Sequence, residues 1–171
     1  MIKLPLHQLE SYYKNYNNED TTIDSCKEKG CGLKDIDKKK YLIINGDKVE
    51  KSKKNDFTRK SVDCIIIQKS PLNSGGYKII LCELTSGGKN TKDLKEKFKN
   101  SGEEISKSFR KFNLKISSFK CVFLGELKND NRTKRELRKP FNISGLIVNE
   151  NASVANIIKK YPCNSLSIKN L

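Results

Sequence analysis

"SVDCIIIQKSPLNSGGYKIILCELTSGG", residues 61–88, decides the fold. Two apolar runs, 62–67 and 77–84, flank the turn chemistry of "SPLNSGG" (70–76). Both runs are apolar on both faces: Cys64 and Ile66 alternate with Ile65 and Ile67, then Ile80 and Cys82 with Ile79 and Leu81. That pattern predicts two neighbouring strands at the centre of a sheet covered on both sides. Each run also carries one acid, Asp63 and Glu83. A carboxylate in a buried strand is costly unless something neutralises it.

Working outward, residues 2–16 place Leu6, Leu9, Tyr13 and Tyr16 on one helical stripe with Glu10 beside it. Residues 17–39 are polar, contain two Gly, and predict a long loop. "KYLIING" (40–46) predicts a strand ended by a turn, and the charged 47–60 a loop or ragged strand. After the quoted stretch, Leu94, Phe98, Ile105, Phe109 and Phe112 form the buried stripe of one long amphipathic helix, capped by Asn90 and Thr91. Residues 119–127 predict a further strand, and 129–140 a basic loop or short helix stopped by Pro140. An extra strand (144–149) and a short final helix (153–161) follow. The order αβββαβ predicts an α/β fold, a mixed central sheet flanked by helices, in a single domain spanning 1–171.

The chain has 35 Lys+Arg against 20 Asp+Glu, a net charge of +15, which attracts polyanions, nucleic acid foremost. The basic stretches are Lys38–Lys40, Lys51–Lys54, the outer face of the long helix (Lys92, Lys95, Lys99, Arg110) and the run holding Arg132, Lys134, Arg135 and Arg138. Phosphate contacts from such groups give affinity without sequence reading. The plainer alternative for any single run is a solvated lysine-rich surface. No apolar stretch approaches the roughly 18 residues of a membrane span. The N-terminal residues carry a Glu and no apolar signal core, so a cytoplasmic protein with no membrane partner is expected. In a reducing cytosol the six cysteines are expected as free thiols. Cys26 and Cys31 have C-x₄-C spacing, but the only His is His7 and a four-ligand set is hard to assemble, so zinc is not expected.

Asp63 and Glu83 stand on strands joined by a hairpin, and two acids converging at a sheet edge resist ionising together. A divalent cation with hard oxygen ligands, Mg²⁺ or Mn²⁺ in its place, removes the conflict and suits phosphodiester chemistry. At this point the chain resembles the PD-(D/E)XK nuclease superfamily, the restriction-endonuclease-like fold. The resemblance rests on the αβββαβ order and on Asp63 followed twenty residues later by the Glu83 of "ELT". It covers roughly residues 1–127 in element order.

The resemblance implies a metal-dependent endonuclease or exonuclease acting on DNA or RNA, with Asp63 and Glu83 as metal ligands and the carbonyl of Leu84 as a further oxygen. It also implies an acid from the first helix, Glu10, as an added ligand; the plainer alternative is a solvated Glu. Two departures stand out. Val62 replaces the motif's Pro, and Thr85 stands where the motif has a Lys. Either the lysine has migrated, to Lys97 or to Lys89, or the site is degenerate and the protein binds nucleic acid or a partner protein without cleavage. The small size leaves little room for a separate specificity domain, so target choice is expected from a partner chain, a guide complex or self-association as a homodimer. The resemblance implies a setting in host defence, a mobile element or a larger processing complex.

Overall fold

In the computed structural model, residues 5–53, 59–127, 131–146 and 157–171 are described, except the side chains of residues 5, 85–89 and 127. The chain opens with α1 (Pro5–Lys14). Three two-residue strands follow, β1 (Thr22–Ile23), β2 (Lys27–Glu28) and β3 (Cys31–Gly32). Then come β4 (Tyr41–Asn45), α2 (Gly46–Ser52), β5 (Cys64–Gln68) and β6 (Tyr77–Lys89). The long helix α3 (Thr91–Lys111), β7 (Ile116–Leu127), α4 (Asn131–Arg138) and β8 (Ile158–Tyr161) follow, and a 3-10 turn at Ile168–Asn170 completes the set.

Six strands form one mixed sheet in the order β1-β4-β5-β6-β7-β8. Pairing is antiparallel from β1 to β6 and parallel across β6/β7 and β7/β8. The parallel step requires a crossover, which α3 supplies. As expected from their two-sided apolar pattern, β5 and β6 are central, with Cys64 opposite Cys82 and Ile66 opposite Ile80. The mixed α/β expectation holds at this level.

The two faces of the sheet bury separate cores. On one, α1 and α3 press Leu9, Tyr13, Leu94, Phe98, Ile105 and Phe109 onto Ile65, Ile67, Ile79, Leu81 and Phe123. On the other, Ile43, Ile66, Ile80, Val122 and Leu124 lie under Cys26, Cys31, Leu33 and the C-terminal Leu166, Ile168 and Leu171. This second cover is pinned by two disulfides, Cys26–Cys64 and Cys31–Cys163. Cys82 and Cys121 are buried free thiols.

Several expectations need correction. Four of the six cysteines are paired rather than free, because the β2–β3 hairpin folds back onto the sheet face that carries Cys64. Disulfides persist where thiols are not held reduced, so this pairing runs against the cytosolic expectation. The segment after β4 is helical over Gly46–Ser52, not a loop or ragged strand. Asn45 caps it by accepting from the Lys48 N–H at 2.9 Å, and Asp47 sits in its first turn. Gly46 is needed there: a Cβ would lie 2.1 Å from the Val62 carbonyl oxygen. Residues 17–39 hold β1, β2 and β3 rather than a plain loop. Ile158–Tyr161, expected as helix, is a strand, because its backbone pairs in parallel with Cys121–Leu124 of β7. The expected strand at 144–149 begins in a turn, and its remainder lies outside the described residues. No helix among the described residues is long and apolar enough to cross a membrane.

Candidate active site

Asp63 immediately precedes β5. Continuing the Cys64–Cys82 register by one residue sets it opposite Glu83. The two acids are cross-linked through backbone. The Asp63 N–H donates to Glu83 Oε2 at 3.2 Å, and the Leu84 N–H donates to Asp63 Oδ2 at 2.7 Å. Glu83 shares the face of Leu81 and is fully buried. From α3, Lys97 Nζ reaches its Oε1 at 2.5 Å.

Helix α3 also holds the segment leading into Asp63. Ser101 Oγ accepts the Val62 N–H at 2.9 Å, and Asn100 Nδ2 donates to the Lys60 carbonyl at 2.8 Å. Arg59 binds the side chains of Asn100 and Glu103, and Lys60 binds Asp93 at 2.6 Å. One rigid helix thus sets both the cation on Glu83 and the backbone before Asp63.

Burial, and then the charge of Glu83, push the Asp63 carboxyl up to about 7; Glu28 adds to the effect, while the Leu84 N–H and Lys97 oppose it. Burial and the charges of both acids also push the Cys82 thiol far up. Cys82 is therefore a neutral thiol rather than a nucleophile.

Asp63, Cys64 and Leu84 line a cavity of about 300 Å³ with Asn45, Asp47, Lys48 and Lys51 from the β4–α2 junction and Ile23, Lys27 and Glu28 from the chain before it. Of these, Lys27, Glu28 and Lys48 carried no signal in the sequence. They occupy polar segments without period, and only the topology brings them to Asp63. Ser101 lies in the gap between Phe98 and Ile105 of the apolar stripe, and nothing in its spacing marks the bond to Val62.

The fold therefore brings together Asp63, Glu83, Lys97 and Leu84. Thr85 and Lys89 belong to β6, and their side chains lie outside the described ones. Glu10 is not brought to the pair. It binds Lys14 at 3.1 Å and Lys69 at 3.6 Å, just past the far end of β5. Burial pushes the Glu10 carboxyl up, but these two lysines outweigh it and hold it below its usual range.

Lys92, Lys95 and Lys99 line a different groove of about 560 Å³ with Glu96, Glu103 and Glu136 of α4. Lys97 is two residues from both Lys95 and Lys99, about 200° around the helix, so this groove and Glu83 lie on different flanks of α3. Arg110 packs against Gly145, toward the C-terminal end of the helix. Arg132, Lys134, Arg135 and Arg138 are exposed on α4.

Among the described residues no three His, Cys, Asp or Glu side chains cluster as a ready-made metal cage. Cys26 and Cys31 are engaged in disulfides. Comparison with protein-family models, curated proteins and solved structures gives no match.

Proposed function

We propose that this chain is a metal-dependent nuclease with a restriction-endonuclease-like core. The reading is supported by the succession α1, β4, β5, β6, α3, β7, into which α2 is inserted between β4 and β5, by the β6-α3-β7 crossover and by the meeting of Asp63 and Glu83. The observation that carries it is the Lys97 ammonium 2.5 Å from Glu83 Oε1. It supplies, from α3, the cation that the motif's third position lacks in Thr85.

The donor set fits Mg²⁺ or Mn²⁺. Such ions bind through one or two carboxylates, keep several waters and take phosphate oxygens from the substrate. Two carboxylates that repel each other, one of them pushed up to about 7, form a site a cation relieves. When bound, the ion supplies Lewis-acid stabilisation of the phosphoryl oxygens and a more acidic water. Asp63 and Glu83 would hold the ion, their orientation fixed by the crossed backbone bonds. Lys97 orients the attacking water, and Ser101 keeps the Asp63 segment in place through Val62. Hydrolysis would form one P–O bond from that water, which loses a proton to solvent, and break the P–O bond to the leaving alcohol, whose oxygen takes up a proton from solvent.

A second reading is a nuclease-fold module that binds nucleic acid or a partner protein without cutting. One observation favours it: each acid already has an internal partner, Lys97 for Glu83 and the Leu84 N–H for Asp63.

Cleavage of plasmid DNA and single-stranded RNA with Mg²⁺ or Mn²⁺ separates the two. The enzyme reading expects cleavage by the wild type and a loss of at least about 100-fold in Glu83→Gln and Lys97→Ala, in the range of removing an electrostatic catalytic group. Mn²⁺ titration by calorimetry is expected to lose its heat in Glu83→Gln. Binding of nucleic acid with no cleavage under any metal identifies the module.

A further inference from the structure

We propose that the cavity beside Asp63 seats a backbone phosphate of the nucleic-acid strand, next to the phosphate that is cut, with Lys27, Lys48 and Lys51 as its anion-binding groups. The proposal rests on the nuclease reading for the identity of the ligand, and on separate observations for the site.

The first observation is the cavity. At about 300 Å³ it is at the small end of ligand sites, room for one nucleotide unit rather than a duplex end. Asp63 and Leu84 form one wall, so a phosphate inside it adjoins the carboxylate pair.

The second is the state of the lysines. Lys97 beside the acid pair, Lys60 in the segment before Asp63, and Lys53 at the end of α2 are each tied to a carboxylate. Lys27, Lys48 and Lys51 are exposed side chains without an ion-pair partner among the described residues. Their opposing charges in the cavity are Glu28, Asp47 and Asp63. Asp47 accepts the Ser61 hydroxyl at 3.0 Å, and Asp63 is a ligand in the proposed metal site. With a divalent ion on Asp63, the balance of the cavity becomes positive. Metal and phosphate then reinforce each other, and by linkage each tightens the other's binding.

The third is preorganisation. Lys27 follows Cys26, whose sulfur is bonded to Cys64, the residue after Asp63. The lysine wall and the acid wall are joined by one covalent bridge. Lys48 stands on the first turn of α2, whose Asn45 cap also lines the cavity. Fixing the walls before the strand arrives lowers the ordering cost of binding.

The test is the affinity of a labelled single-stranded 12-mer oligonucleotide, with Ca²⁺ and with EDTA, across a salt series. Lys48→Ala/Lys51→Ala is compared with wild type and with Lys159→Ala/Lys160→Ala, an equal charge change at two exposed positions of β8. Two lost phosphate contacts are expected to lower the slope of log K against log salt by about 1.4, with a larger loss of affinity in Ca²⁺ than in EDTA. The β8 pair is expected to keep the wild-type slope. An unchanged slope in Lys48→Ala/Lys51→Ala overturns the proposal, as does an equal loss in the β8 pair. If the slope falls but the wild type cleaves nothing with Mg²⁺ or Mn²⁺, the cavity stands and the enzyme reading fails. Wild-type cleavage beside an unchanged slope leaves the enzyme and removes the cavity.

Discussion

The two faces of the central sheet are covered by different means. One carries α1 and α3, whose apolar stripes bury whole aromatic and aliphatic side chains such as Tyr13, Phe98 and Phe109. The other carries a hairpin of two-residue strands and the chain's C-terminal residues, fastened by two disulfides. Helices cover a sheet face through area alone, at roughly 25 cal/mol per Å² of apolar surface. A short hairpin buries too little for that and is held covalently instead. The candidate site lies where the two covers meet. Glu83 is served by Lys97 from the helical side, and Asp63 faces the cavity walled by the hairpin.

The largest expected effect tests that contrast directly. The Cys31–Cys163 bridge spans 132 residues and Cys26–Cys64 spans 38. Loop-closure entropy assigns each a contribution on the order of 4 kcal/mol. Urea unfolding of the wild type with a strong phosphine reductant is therefore expected to show a stability loss of about 4 kcal/mol or more. Phe98→Ala on the helical face is expected to cost a similar amount, about 4 kcal/mol, with or without reductant. Identical wild-type curves under both conditions would break the comparison, since the second face would then be held by packing alone.

A smaller loss is expected at the helical edge. Lys53 bridges Glu50 and Glu104, at 2.8 Å to each, and Tyr16 donates its hydroxyl to Glu104 at 3.2 Å. Glu50 is almost fully buried, and its Oε2 lacks a hydrogen-bond partner among the described residues. Lys53→Met leaves two carboxylates there without their cation, which costs about 3 kcal/mol. Adding Glu50→Gln is expected to recover part of it, read by the urea midpoint. A loss under about 1 kcal/mol would mean that water reaches these acids and that α2 is held otherwise.

The same contrast governs what the sequence discloses. On the helical face, burial demands period: the Leu94–Phe98–Ile105–Phe109 stripe and the alternation in β5 and β6 are readable because each element must hide one or both faces. The Asp63–Glu83 meeting is readable too, since the two apolar runs are joined by one turn segment and pair as neighbours. Helix α2 is hidden because Val49 is the one large apolar residue in its seven, and its stability comes from the Asn45 cap and from Lys53 reaching Glu104 across the chain. β8 is hidden because "IIKKY" suits helix or strand, and only its pairing with β7 decides. The disulfides are hidden because connectivity depends on which loop lands on which face. The lysines of the cavity share that fate: Lys27 owes its place to the Cys26 bridge.

A pH-dependent effect sits at the junction of the two covers. The Asp63 carboxyl, with an ordinary value of 3.8, is pushed up to about 7 in the fold, by burial first and by the charge of Glu83 second. The folded state therefore holds this proton over a range where the unfolded chain has released it. Between about pH 4 and pH 7 the folded state binds more protons, so stability falls as pH rises through that window and levels off above it. In metal-free buffer, Asp63→Asn is expected to abolish this component while keeping an acceptor for the Leu84 N–H, so its advantage over wild type grows from pH 4 to pH 7. Adding Mn²⁺ at pH 8 is expected to reverse the order. The wild type gains about 2.7 kcal/mol at a hundred times its dissociation constant, and the variant gains far less. Parallel curves for the two proteins across pH would place the charge of Asp63 in solvent and separate it from Glu83. A reversal by Mn²⁺ with no prior pH-dependent gap would keep the metal ligand and discard the repulsion, leaving the hairpin cover without influence on the acid it overhangs.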